Sequence, residues 1–196
     1  ATGLAPAPHL ILARLALRWA AGQGGSTGAF VMDGREQDGE ERRLAALSEL
    51  DLLNGGPFED LDRLVRLAAD ICDANLAAFT IHDETLAYHV ASTFHAADLM
   101  PRNACMSAVA LEAGKTIHVA DAREDARFAH AGYVVGPPYV RSFLGAPLGA
   151  VPGLPVGLLA VGHTEPGRFG VREVGRFEKV AELVSAFLEQ RRAAVL

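Results

Sequence analysis

Two thiols, seven imidazoles and several paired charges are the groups in this 196-residue chain whose types and spacing could do chemistry. Cys105 stands near the start of an expected helix, Ala104 to Ala113, with Asn103 as its cap and Gly114 as its stop. A thiol near a helix N-terminus can have a lowered pKa and react with oxidants or electrophiles. The blander alternative is that Cys105 and Val109 share an i, i+4 face, as Cys72 does with Ala68 and Val65, so that both thiols are small buried residues. Two cysteines are too few for a disulfide scaffold or a four-cysteine zinc site, and a reduced cytoplasmic setting is expected. His82, His89 and His95 have no helical i, i+4 spacing, and His118 and His130 flank the 121–128 segment separately, so no metal is expected. His163 closes an apolar run, either as a polar rim residue or as a solvated strand end. Arg127 reads as an i, i+3 partner of Glu124, whereas Arg141 is either structural or a receptor for an anion.

The elements that must position these groups follow from periodicity. Leu44, Leu47 and Leu50 predict a first helix over 42–53, which Asn54-Gly55-Gly56-Pro57 breaks. Leu61, Leu64, Val65, Ala68 and Cys72 predict a second over 58–74, with Arg63, Arg66 and Asp70 on its polar side. The runs 76–82 and 86–94, separated by Asp83-Glu84-Thr85, read as an antiparallel hairpin, and 116–120 as a brief strand. Asp121 and Glu124 form a capping-box variant, predicting a helical turn or two that Phe128 closes. Gly136-Pro137-Pro138 forces an extended path into a strand whose Gly145 and Pro147 suggest a bulge or an edge. The most apolar run, 156–163, reads as a central strand, and 171–192 as a last helix with two apolar stripes. One stripe holds Val174, Phe177, Ala181, Val184 and Leu188; the other holds Val180, Leu183 and Phe187.

Composition removes several functions. About half the residues are apolar, enough for one core, and the net charge of −6 lacks the basic footprint that nucleic acid requires. The apolar stretch 9–21, interrupted by Arg14 and Arg18, is too short to span a membrane and lacks the basic lead of a signal peptide. GQGGSTG over 22–28 lacks the lysine of a phosphate loop. Residues 1–41 read as an extension, either a tag or a disordered arm, with Met32 as a natural start.

Asp-Ala-Arg-x-Asp-x-Arg-Phe over 121–128 and Gly-Pro-Pro-x-Val-Arg-x-Phe-x-Gly-Ala-Pro-Leu over 136–148 resemble the second half of a GAF domain. This is a sensing module of bacterial signalling proteins, found with diguanylate cyclases and histidine kinases. Glu49 to Asn54 resembles its entry, Pro155 to Val161 its penultimate strand and Phe169 to Arg192 its closing helix. The resemblance implies an α+β fold, a GAF/PAS-like antiparallel sheet of five to six strands with helices on both faces. The domain would cover 42–192, followed by a tail over 193–196, with the terminal helices packed away from the pocket.

That fold implies a pocket lined by Phe79 and Ile81 from one strand, Cys105 and Val109 from the lid helix and Phe128 and Tyr133 from the loop. Phe143 and Leu159 would join from later strands, with Arg141 and His163 as polar candidates. Many relatives carry Ser-Phe-Cys where this chain has Asn103-Ala104-Cys105. The implied function is a non-catalytic sensor of an unidentified small molecule, signalling as a homodimer through its terminal helices to a kinase or cyclase partner. Two alternatives are a ligand-free interaction module and a free methionine-R-sulfoxide reductase, an enzyme on this fold that uses a set of cysteines. The cyclic-nucleotide motif of phosphodiesterase GAF domains is absent, and Cys105 is followed by Met106 where bilin carriers have His.

Overall fold

Helical repeats of apolar residues meet strand repeats at one central sheet, and the computed structural model describes this arrangement for residues 34–53, 58–94 and 99–195. The expectations for the 9–21 helix, the 22–28 spacer, the 54–57 break and His95 lie outside the described residues. The elements are α1 (Gly34–Ser48), α2 (Glu59–Cys72), β1 (Leu76–His82), β2 (Leu86–Ser92), β3 (Leu99–Pro101) and α3 (Met106–Ala113). There follow β4 (Ile117–Val119), α4 (Gly132–Val135), β5 (Ser142–Leu148), β6 (Gly157–His163) and α5 (Val171–Val195). The strands form one six-stranded sheet in the order β3-β2-β1-β6-β5-β4, and every pairing is antiparallel.

Period two along the strands divides the sheet into unlike faces. Ala77, Phe79 and Ile81 of β1 join Leu159 and Val161 of β6 in a core completed by α2 and α5, which contribute Leu61, Val65, Phe177, Val184 and Leu188. Each such side chain contributes about 1.5–3 kcal/mol when fully buried, so this face carries most of the stability. Acidic Glu59, Asp60 and Asp62 favour the N-terminus of α2, and Asp73 ends it in the left-handed region at φ 51. The second face carries α3 and α4, as the helices-on-both-faces expectation requires.

Several elements depart from the sequence reading. The first helix begins at Gly34, not residue 42, because ion pairing rather than an apolar stripe supports its start: Arg43 meets Glu40 at 2.7 Å. It ends at Ser48, and turns carry the chain through Leu50 to Asp51. No helix follows Asp121. Instead Asp121 Oδ1 accepts from the Arg123 amide at 3.0 Å and Asp125 Oδ1 from the Arg127 amide at 3.0 Å, two tandem side-chain turns that compete with a helix. The short helix lies later, at 132–135. Asn103 sits in a single 3-10 turn, so Cys105 is the N-cap of α3, while Gly114 ends it at φ 62 as expected. Strand β5 is neither bulged nor an edge; it pairs over its whole length with β6. Pro147 is tolerated because the pairing with β4 stops at Ile117 opposite Gly145, so no strand on that side needs a proline N–H. The sheet's register shift falls between β1 and β2, at Phe79/Thr80.

Candidate functional site

On the second face the strands offer small or polar residues: Ala78 and Thr80 from β1, His89 from β2, and Ala160 and Gly162 from β6. A methyl group added at Gly162 would meet nothing closer than Leu76 at 3.6 Å, a measure of the space left there. Over this floor stand Met100 of β3, Cys105, Met106 and Ser107 at the start of α3, Tyr133 of α4, and Pro138, Val140 and Phe143. Between floor and roof lies a cavity of about 70 Å³. None of its described lining residues is a lysine, arginine, aspartate or glutamate.

Polar groups along the cavity form directed chains. Thr80 Oγ1 and His89 Nδ1 lie 2.8 Å apart across β1 and β2. His82 Nε2 lies 2.9 Å from Ser107 Oγ, Ser107 donates to Cys105 Sγ at 3.2 Å, and Cys105 donates to the Arg102 carbonyl at 3.0 Å. His82 Nδ1 is buried without a hydrogen-bond partner, so the less costly tautomer carries its proton on Nε2 and donates to Ser107. Burial, with Arg102 and Arg43 nearby, pushes the His82 pKa down to about 3, leaving the ring neutral. Burial also raises the Cys105 thiol, against the lowering hydrogen bond from Ser107. Of the two readings of Cys105, the small buried residue fits its burial, since desolvation outweighs the helix end. Tyr133 Oη donates to Met100 Sδ at 3.4 Å, and burial pushes its pKa up to about 12.

A charged clamp joins this roof to α1. Arg43 is 6% exposed and donates to both Glu40 oxygens at 2.7 Å and to the His82 carbonyl at 2.6 Å. Arg102, three residues before Cys105, donates to the same Glu40 carboxylate and to the Asp83 carbonyl at 3.0 Å. Burial would raise the Glu40 pKa, but hydrogen bonds from Arg43 and Arg102 outweigh it and hold it at about 2.

Of the residues the sequence placed in a pocket, Cys105, Tyr133 and Phe143 line this cavity. Phe128 lies behind them, its ring centroid 6.0 Å from that of Phe143, and Val109 packs half-buried against the same cluster. Phe79, Ile81 and Leu159 lie on the opposite face, in the helical core. Arg141 is structural here: its Nη1 donates to the Val134 carbonyl at 2.8 Å and the Val140 carbonyl at 3.0 Å. His163 is neither rim nor solvated end; it is buried, and its Nδ1 accepts from the Glu165 amide at 2.9 Å. Arg127 pairs with Asp125 at 2.6 Å rather than with Glu124, because the turn brings i and i+2 together. Sequence reasoning missed Thr80, His89, Ser107, Met100 and Met106. Its usable signal was polarity: Thr80 and His89 interrupt apolar strands, and Ala160 and Gly162 are small at i, i+2 spacing.

One antiparallel sheet with a helical layer on one face and a roofed recess on the other defines an α+β domain of the GAF kind. The GAF domain profile matches residues 59–188. A cyclic di-GMP phosphodiesterase of Pseudomonas aeruginosa is 32% identical over 155 residues, which are 79% of this chain and 26% of that protein. The chain thus spans about a quarter of that curated relative. The GAF domain of an Acinetobacter phosphoenolpyruvate-protein phosphotransferase aligns at 18% identity and a TM-score of 0.58, over 83% of this chain and 97% of that one. The free methionine-R-sulfoxide reductase of Neisseria meningitidis, in complex with its substrate, aligns at 15% identity and 0.59, over 99% and 98%. At these identities the two structures show a shared fold. The chain belongs to the GAF domain family. Among the described residues no helix is long and apolar enough to cross a membrane.

Proposed function

We propose that this chain is a non-catalytic regulatory GAF module of a cytoplasmic signalling protein, which binds a small ligand in the cavity and passes its occupancy to the terminal helices of a homodimer. The clamp carries this reading: Glu40 ties Arg43 on α1 to Arg102, whose carbonyl accepts from the roof residue Cys105, so a displaced roof pulls on the helix. Exposed Leu67 on α2 and Leu183 on α5 support pairing through the helical face. Similarity to part of a cyclic di-GMP phosphodiesterase supports an output that controls the turnover of that nucleotide. The nucleotide itself suits the cavity poorly, since its phosphates would find no cation among the described lining residues. A non-catalytic role is supported by the thiols: Cys72 lies in the helical core and Cys105 on the other face, and burial raises both, Cys72 to about 11.

A ligand-free interaction module is the second reading. It is favoured by the cavity's size, about 70 Å³ against the roughly 300–1,000 Å³ of drug-sized sites. Hydrogen exchange of the α1 amides tests the first. Ala160→Val fills part of the cavity, and Glu40→Gln weakens the clamp; each is expected to change exchange over residues 40–48 several-fold. Unchanged α1 exchange in Ala160→Val rejects coupling and leaves the interaction module.

A further inference from the structure

A second recess lies along the last helix and shares no described lining residue with the cavity. Its volume is about 580 Å³. One wall is α5, where Glu178, Glu182 and Glu189 are exposed beside Ala181; the other is Ala146, Pro147 and Leu148 of β5, beyond the point where β4 pairing stops at Gly145. None of these glutamates is in an ion pair among the described residues, and Lys115 is the one basic residue of the described lining. Pro147 offers no N–H to an added strand, so this open edge takes an occupant by its side chains.

We propose that this groove is the docking site of residues 9–21 of the same chain, with Arg14 and Arg18 seated against Glu178 and Glu182 and the neighbouring leucines over Ala146, Leu148 and Ala181. Charge selects the segment. The chain's net charge is −6 with histidines neutral, yet Arg14 and Arg18 are the only charged residues among 1–31. They stand at i, i+4, the spacing of Glu178 and Glu182 on α5, so two pairs can form together along one helical turn. Apolarity selects it again: Leu10, Ile11, Leu12, Leu15, Leu17 and Trp19 are costly to leave in water, and the groove offers alanine and leucine to cover them. A second copy carries the same net negative charge, which disfavours its approach to an acidic groove. Reach allows intrachain docking. Leu148, Gly157 and Ile81 lie in one row across β5, β6 and β1, so the groove is about 10 Å from the strand end where Arg43 of α1 donates to the His82 carbonyl. Helix α1 runs about 14 Å from Arg43 back to Gly34, and residues 22–33 extend to at most about 40 Å. The segment therefore reaches the groove with α1 left in place.

Trp19 is the sole tryptophan of the chain, so its fluorescence reports on this segment alone. In the full chain at low ionic strength its emission is expected to be blue-shifted and shielded from acrylamide. Arg14→Glu/Arg18→Glu and, separately, Glu178→Arg/Glu182→Arg are each expected to raise the quenching constant at least about two-fold, since each turns two attractive pairs into repulsive ones. Glu178 and Glu182 are exposed, so their reversal leaves the core intact. The chain carrying all four substitutions again sets opposite charges across the groove and is expected to regain the shielding. Equal quenching in wild type and in the Glu178→Arg/Glu182→Arg chain, or no recovery in the combined chain, overturns the inference. Shielding that falls on dilution also overturns it, because the segment then sits on a second copy.

Discussion

The two faces of the sheet use the same strands for opposite ends. On the helical face Phe79, Ile81, Leu159 and Val161 are buried against α2 and α5, with Phe177, Val184 and Leu188 fully enclosed. On the other, the alternate residues Ala78, Thr80, Ala160 and Gly162 are small or polar, and a cavity remains beneath Cys105, Met106 and Tyr133. Dense packing gives stability, since each missing methylene removes favourable contacts. Space and unspent polar groups give a site, at some cost in stability. The contrast teaches that bulk marks the scaffold in this domain, while small residues inside apolar strands mark the place where a ligand could act.

The comparison breaks most readily at the helical core. Phe177→Ala, on the packed face, is expected to lose about 3–5 kcal/mol in denaturant unfolding. A loss below about 1 kcal/mol would dissolve the distinction between the faces. Next comes acid. Unfolded chains protonate His82 near 6.5, while the folded chain keeps it neutral down to about 3. The unfolded state therefore binds more protons between those values, and stability conferred by the neutral ring, full above 6.5, is lost as pH falls through the window. Wild type should lose up to about 1.4 kcal/mol per pH unit more than His82→Gln, read from urea midpoints across that range. Smaller again is Ala160→Val on the cavity face, expected to shift stability by less than about 1.5 kcal/mol in either direction because the added methyls enter existing space. A loss comparable to that of Phe177→Ala would show the face to be as tightly packed as the other. Smallest is Arg127→Ala, which removes a pair whose arginine is 47% exposed and should cost at most about 1 kcal/mol by thermal unfolding at moderate salt.

Much of this protein was legible in its residue pattern. Periodicity located α2, β1 and β6 to within two residues at either end, and the 121–148 motifs carried the family. Local patterns suffice there because an apolar repeat and a turn residue act on near neighbours in the chain. Where a polar stretch was helical, as at Gly34 to Arg43, there was no apolar stripe to read. The tandem Asp-x-Arg turns at 121–127 were misread because the same aspartates suit a cap and a side-chain turn equally. The choice of face was beyond sequence altogether. Period two groups Phe79 with Ile81 and Thr80 with His82, but it does not say which set meets the helices. That was decided when α2 and α5 docked, since only the face with bulky side chains could fill the space beneath two long helices. The clamp is likewise a product of tertiary structure: Glu40, Arg43 and Arg102 are ordinary surface residues in the sequence, and only the folded chain brings residues 40 and 102 into contact.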